Sequence, residues 1–97
     1  MLTGKQKRHL RSMAHELKPI FQVGKGGVND NLIQQVVDAL EARELIKVSV
    51  LNNSPQDMDE VSEAITSQSG AEWVQTIGHT LVFYKRSAEN PEIELPR

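Results

Sequence analysis

Gly24, Lys25, Gly26 and Gly27 are the residues whose types and spacing most directly permit contact with a ligand. Glycine reaches left-handed backbone conformations and lets another backbone come close. The free amides that open a following helix can receive a phosphate, and Lys25 adds positive charge beside them. The spacing is GxxG. It is not the GxxxxGK[ST] loop of the P-loop NTPases, and GxGxxG fails because position 29 is Asn29. A tight strand-to-helix turn would use the same glycines, so the motif leaves both readings open. Lys5, Lys7, Arg8 and Arg11 form a second set. They can contact phosphates if their helix end lies beside the glycine loop; such contacts position a nucleic acid without reading its sequence. Lys18, Lys47, Lys85 and Arg86 are secondary candidates, and His79 can add a partly protonated contact.

Other chemistries find little support. The chain has no cysteine, which removes disulfides, thiolate metal sites and a thiol nucleophile, and fits a reducing compartment. His9 and His15 stand roughly 120 degrees apart around a helix, HExxH is absent, and no metal site is expected. No serine has a GxSxG context, so no catalytic residue is assigned. Asp57, Asp59, Glu60 and Glu63 cluster near one helix start, where the helix dipole already favours acids. They also motivate an alternative: docking on a protein partner through the helix at residues 56–68. Of the aromatics, Phe83 is expected in the core, while Trp73 and Tyr84 are open. An aromatic-rich stacking sheet is not expected.

The charges are unevenly placed. The 97 residues carry a net charge of −2. Residues 1–27 hold six basic side chains against Glu16 alone, whereas residues 28–97 hold five basic and twelve acidic ones. A near-neutral total therefore conceals a basic first quarter suited to a polyanion. No apolar run approaches the roughly 20 residues needed to cross a bilayer, and the positive N-terminus lacks the apolar core of a secretory signal. A cytoplasmic, monomeric protein without a cofactor is expected.

Seven elements must position these residues. Thr3 and Gln6 match a capping box, and Leu10, Met13, Ala14 and Leu17 repeat at helical spacing, with Lys18-Pro19 closing the helix. Lys5, Lys7, Arg8 and Arg11 fall mostly off that stripe, against the helix dipole, so local helix stability does not explain them. Residues 19–23 read as a strand. Asn29 caps a second helix with Ile33, Val36, Val37 and Leu40 inward. Residues 45–51 read as a strand, with Lys47 on the face opposite Ile46, Val48 and Val50. Ser54-Pro55-Gln56-Asp57 starts a third helix with Met58, Val61, Ala64 and Ile65 inward and Gly70 at its end. Two strands, 72–77 and 80–85, flank a Gly78-His79 turn of type II′. The expected fold is α/β: a compact mixed four-stranded sheet with three helices in the order α-β-α-β-α-β-β, its strand order open. Residues 1–86 form the expected domain, and residues 87–97 an acidic polar tail that frays or lies on the surface.

The chain resembles the stand-alone bacterial CRM-domain proteins (chloroplast RNA splicing and ribosome maturation), the YhbY-like RNA-binding proteins. The resemblance rests on Leu10-Arg11-Ser12-Met13-Ala14-His15, Leu17-Lys18-Pro19, Val23-Gly24-Lys25-Gly26-Gly27, Ala39-Leu40 and Glu44-Leu45-Ile46-Lys47-Val48. It continues through Val74-Gln75-Thr76-Ile77-Gly78 and Leu81-Val82-Phe83-Tyr84-Lys85-Arg86. It implies a fold similar to the C-terminal domain of bacterial translation initiation factor three, with a KH-like GxxG loop beside basic surface. It also implies RNA binding, with 23S rRNA or a large-subunit precursor as partner, and a role in large-subunit assembly; the alternative is docking on a ribosomal protein or assembly factor through the acidic helix. The family often carries Arg or Lys where this chain has His79, which is mostly uncharged at neutral pH.

Overall fold

Each helix starts on a local cap that the side chains dictate. The computed structural model describes residues 1–97. In α1 (Gly4–Ala14), Gln6 N donates to Thr3 Oγ1 at 3.1 Å and Thr3 N donates to Gln6 Oε1 at 3.0 Å. This reciprocal pair satisfies two otherwise orphaned donors. In α2 (Asp30–Arg43), Asn29 Oδ1 accepts from Leu32 N at 2.9 Å. In α3 (Met58–Ser69), Asp57 and Glu60 form a second capping box, and Gly70 ends the helix in a left-handed conformation.

The strands are β1 (Phe21–Val23), β2 (Leu45–Val50), β3 (Glu72–Ile77) and β4 (Thr80–Tyr84). They form one four-stranded sheet in the order β1-β2-β4-β3. β1 runs parallel to β2, and the other pairings are antiparallel. Gly78 has φ 57 while His79 does not enter the positive range, as a type II′ turn requires.

Alternation along the strands sends side chains to two cores. Ile46, Val48, Val50, Leu81 and Phe83 face α2 and α3, meeting Val36, Leu40, Val61 and Ile65. Each fully buried Leu, Ile or Phe contributes about 1.5–3 kcal/mol relative to exposure. On the other face Leu45, Val82, Tyr84 and Val74 meet Leu10, Ala14 and Leu2. A bulge between Trp73 and Gln75 lets Val74 turn into this second core.

Two local expectations differ from what is observed. α1 ends at Ala14, because the chain must leave the helix to bring Ile20 N onto Lys47 O at 3.0 Å, which leaves Leu17 outside it and exposed; Met13 is within α1 but lies on the flank beside the tail and is exposed. α3 starts at Met58, not at Ser54-Pro55. Residues 54–57 serve a tertiary purpose instead: Ser54 Oγ closes a turn with Gln56, and Gln56 Oε1 accepts from Val28 N at 2.7 Å. The tail lies on the surface, one of its two expected positions, and is tied there by hydrogen bonds. The Glu44 carboxylate accepts from the backbone N–H groups of Ser87, Glu92 and Ile93 at 2.9, 2.7 and 2.9 Å. Glu41 accepts from Ser87 Oγ and from the N–H groups of Ala88 and Glu89. Ile93 and Leu95 then pack against the second core, and Gln6 Nε2 donates to Pro96 O at 3.1 Å.

Candidate nucleic-acid interface

The glycine loop is built by its neighbours as much as by its own sequence. Gly27 N donates to Gly24 O at 2.9 Å, closing the turn between β1 and α2. Gly27 has φ 65, and a Cβ there would stand 2.6 Å from Gln56 Oε1 and 2.9 Å from Pro55 Cγ. Only glycine satisfies both the backbone and the space. Gly26 differs: its φ is not positive, and a Cβ would meet only Asn29 Nδ2, at 3.8 Å. Lys25 and Gly26 are exposed at the tip. A groove of about 530 Å³ runs beside them, from Pro19 and Phe21 to Asn31 and Gln35.

These two glycines separate support of the fold from contact with a ligand. Gly27→Ala is expected to cost about 1–3 kcal/mol through backbone strain and the clash with Gln56. Gly26→Ala is expected to leave the melting temperature unchanged and to weaken nucleic-acid binding severalfold, because the methyl intrudes where a phosphate backbone would approach. Thermal melts paired with binding titrations check both, and equal effects of the two substitutions on stability would contradict the assignment.

Strand register places the other candidates. Val23 pairs with Val50, Ser49 with Thr80, and Thr80 with Ile77, so the glycine loop and the His79 turn share one end of the sheet. His79 is exposed and its carbonyl accepts from Val50 N at 2.7 Å. Lys47 lies on the α1 face, as its alternation against Ile46, Val48 and Val50 requires. Lys18 lies in a shallow pocket with Lys47 and Arg43. Arg43 closes α2 and was not singled out by its sequence context, because nothing local links it to Lys47.

α1 does not bring its basic N-terminal end beside the glycine loop. Leu2 N donates to Glu72 Oε1 at 2.9 Å, and Lys7 Nζ lies 5.1 Å from the centroid of the Trp73 ring, both on β3. β1 and β3 are opposite edges of the sheet, roughly 14 Å apart at about 4.8 Å per strand. The tail occupies the α1 flank at Gln6, His9 and Met13. Helical geometry puts Lys7 and Arg11 on the other flank and Arg8 on the solvent side, nearly opposite the buried Leu10. Arg11 is half-buried, and its Nε is buried without a partner. Lys5 is exposed between the flanks.

Two candidates fall elsewhere. Arg86 lines a cleft of about 690 Å³ with Leu2, Tyr84, Ile93 and Leu95, at the end of the sheet away from the glycine loop. Lys85 Nζ donates to Ser69 O at 3.1 Å, serving the C-terminal end of α3. Lys25 and His79 thus stand at one end of the sheet, Lys47, Lys18 and Arg43 share a pocket, and Lys7 sits at the β3 edge.

A helix-covered mixed sheet with a glycine loop at one end and cations around its partly open face defines a small, single-sheet α/β domain of the GxxG type. The chain belongs to the CRS1/YhbY (CRM) domain family, whose match spans residues 2–85. The probable RNA-binding protein YqeI of Bacillus subtilis is 67% identical over 96 residues, covering 99% of this chain and all of that protein. An RNA-binding protein of Haemophilus influenzae is 38% identical over 96 residues, covering 99% of this chain and 96% of its own. The solution structure of a hypothetical protein from Staphylococcus aureus superposes with a TM-score of 0.81 at 57% identity, covering 99% of this chain and 100% of that one.

Proposed function

We propose that this protein is a non-catalytic RNA-binding protein that acts on ribosomal RNA, in the 23S molecule or its large-subunit precursor, during assembly. The observation that carries the reading is a sheet face bearing Lys47, with Lys18 and Arg43 at its margin, that ends in a glycine loop whose open tip exposes Lys25. Such a surface supplies phosphate contacts and close backbone approach. The relatives described as RNA-binding proteins support the choice of RNA. The acidic helix offers less support for a protein-docking role, since Asp57 and Glu60 are already engaged in capping each other's backbone amides.

Crosslinking in cells followed by sequencing of the attached nucleic acid tests the proposal. Enrichment of 23S or precursor segments is expected. Enrichment of messenger RNA alone, or of DNA, would sink the assembly role. Association with pre-ribosomes that persists after complete nuclease digestion would favour a protein-docking role instead.

A further inference from the structure

The half of the α1 face nearest the loops carries a row of uncharged side chains, three of them hydrogen-bonding and the fourth an exposed isoleucine. Across the four strands, Gln22 pairs with Ser49, Ser49 with Thr80, and Thr80 with Ile77. These residues have the same facing as Lys47, and none is buried: Gln22 and Ile77 are exposed, Ser49 and Thr80 half-buried. α1 packs farther down, over Leu45, Tyr84, Val82 and Val74. The hydrogen-bonding part of the row, Gln22 to Thr80, crosses three strands and spans roughly 10 Å at about 4.8 Å per strand. Lys47, two residues from Ser49 along β2 and on the same face, borders it on one side, and the loop end with Lys25 lies on the other.

No aromatic ring lies on this row. Phe21 is in register with Val48 and Phe83 with Ile46, so both face α2 and α3. Tyr84 is buried. Trp73 is exposed, but it is in register with Phe83, four residues along β3 from Ile77; its ring faces Lys7 Nζ, and its indole N–H donates to Thr76 Oγ1 at 3.0 Å. A surface that reads single strands needs exposed rings on which bases stack. Double-stranded RNA is instead recognised by shape, by phosphates, and by the 2′-hydroxyls of its wide, shallow minor groove. Hydroxyl and amide side chains bordered by cations match that chemistry.

Accepting the RNA-binding reading above, we infer that the sheet face bearing Gln22, Ser49 and Thr80 docks on the minor groove of an RNA duplex and distinguishes RNA from DNA through the 2′-hydroxyls. The cations set affinity, and the neutral row sets the preference for ribose. The test is fluorescence anisotropy of the full chain with three labelled probes at one salt concentration: an RNA hairpin duplex, the DNA hairpin of the same sequence, and an unstructured RNA strand. The RNA hairpin is expected to bind about tenfold more tightly than either of the others. S49A combined with T80V is expected to reduce the ratio of RNA to DNA affinity severalfold, with the salt slope unchanged because every cation is retained. Q22A, at the exposed edge, provides a second variant that leaves the interior of the sheet intact, and it is expected to lower the ratio in the same direction. Tighter binding of the unstructured strand, or a ratio unchanged in both variants, overturns this inference while leaving RNA binding standing. Failure of the wild-type chain to bind any RNA probe overturns the RNA-binding reading and this inference with it.

Discussion

Lys25→Glu is expected to weaken RNA binding about thirtyfold, and Lys5→Glu, Lys7→Glu and Arg8→Glu together by more than about a hundredfold, each without unfolding the protein. An exposed charge about 4 Å from a phosphate contributes roughly 1 kcal/mol in water, and reversing its sign doubles the change, to about 2 kcal/mol. Lys25 stands exposed at the tip of the glycine loop. The triple replacement places acids near the start of α1, where the helix dipole favours them by a few tenths of a kcal/mol each. Against that gain, it takes the Lys7 ammonium away from the Trp73 ring, an attraction worth about 0.5–1 kcal/mol at an exposed site. Each phosphate contact removed should also flatten the dependence of log affinity on log salt by roughly 0.7–0.9. Titrations at several salt concentrations, paired with thermal melts, measure both quantities. Unchanged affinity and slope in both variants would show that this surface does not meet the RNA.

The second large effect concerns stability. Glu44→Ala is expected to cost about 2–3 kcal/mol and to lower the melting temperature by roughly 10–20 °C. Glu44 is 2% exposed, and its carboxylate receives three backbone donors from residues 87–93. Removing it leaves those N–H groups unpaired, at about 1–3 kcal/mol each if they stayed buried. The tail can limit the loss by detaching, which surrenders the packing of Ile93 and Leu95 against the second core. Alanine would also keep the unfavourable backbone at this position, where φ is 67, without the carboxylate that accompanies it. Amide exchange in residues 87–93 should therefore accelerate with the fall in melting temperature. If neither changes, the clamp contributes nothing.

The same clamp predicts an acid limit. Burial pushes the Glu44 carboxyl up, but the N–H donors of Ser87, Ile93 and Glu92, with Arg86 nearby, outweigh it and hold the group below the ordinary carboxylate range. Glu41 is also lowered, first by the Ser87 hydroxyl and then by the N–H groups of Ala88 and Glu89. A carboxyl depressed in the folded state binds protons more readily when unfolded. Its stabilisation is present above the unfolded value of about 4.3 and is lost as pH falls through the lower folded value. The tail should accordingly stay docked at neutral pH and release in acid below that range.

Much of the architecture is legible from local chemistry. Thr3 with Gln6, Asn29, and Gly78 act within a few residues of themselves, so their spacing identifies two helix starts and a hairpin turn. Alternation in β2 likewise separates Lys47 from Ile46, Val48 and Val50 before any partner strand is known. Ser54 and Pro55 mislead for a physical reason: Gln56 is drawn to Val28 N, and that long-range bond displaces the helix start to Asp57. Leu17 misleads because a helical repeat continues in the sequence after the chain has turned away toward β1, and Met13 because it falls on the flank of α1 beside the tail and not over the sheet.

The amino-acid sequence by itself determined the element types, the glycine loop and the basic first quarter, since propensity, capping and charge act over a few residues. Only the tertiary structure decided which cations share a surface. The order β1-β2-β4-β3 puts the α1 start at the edge opposite the glycine loop, joins Lys47 to Arg43 and Lys18, and turns the acidic tail into a clamped strap under Glu44. Those placements rest on hydrogen bonds and packing between residues far apart in the chain, where local spacing carries no information.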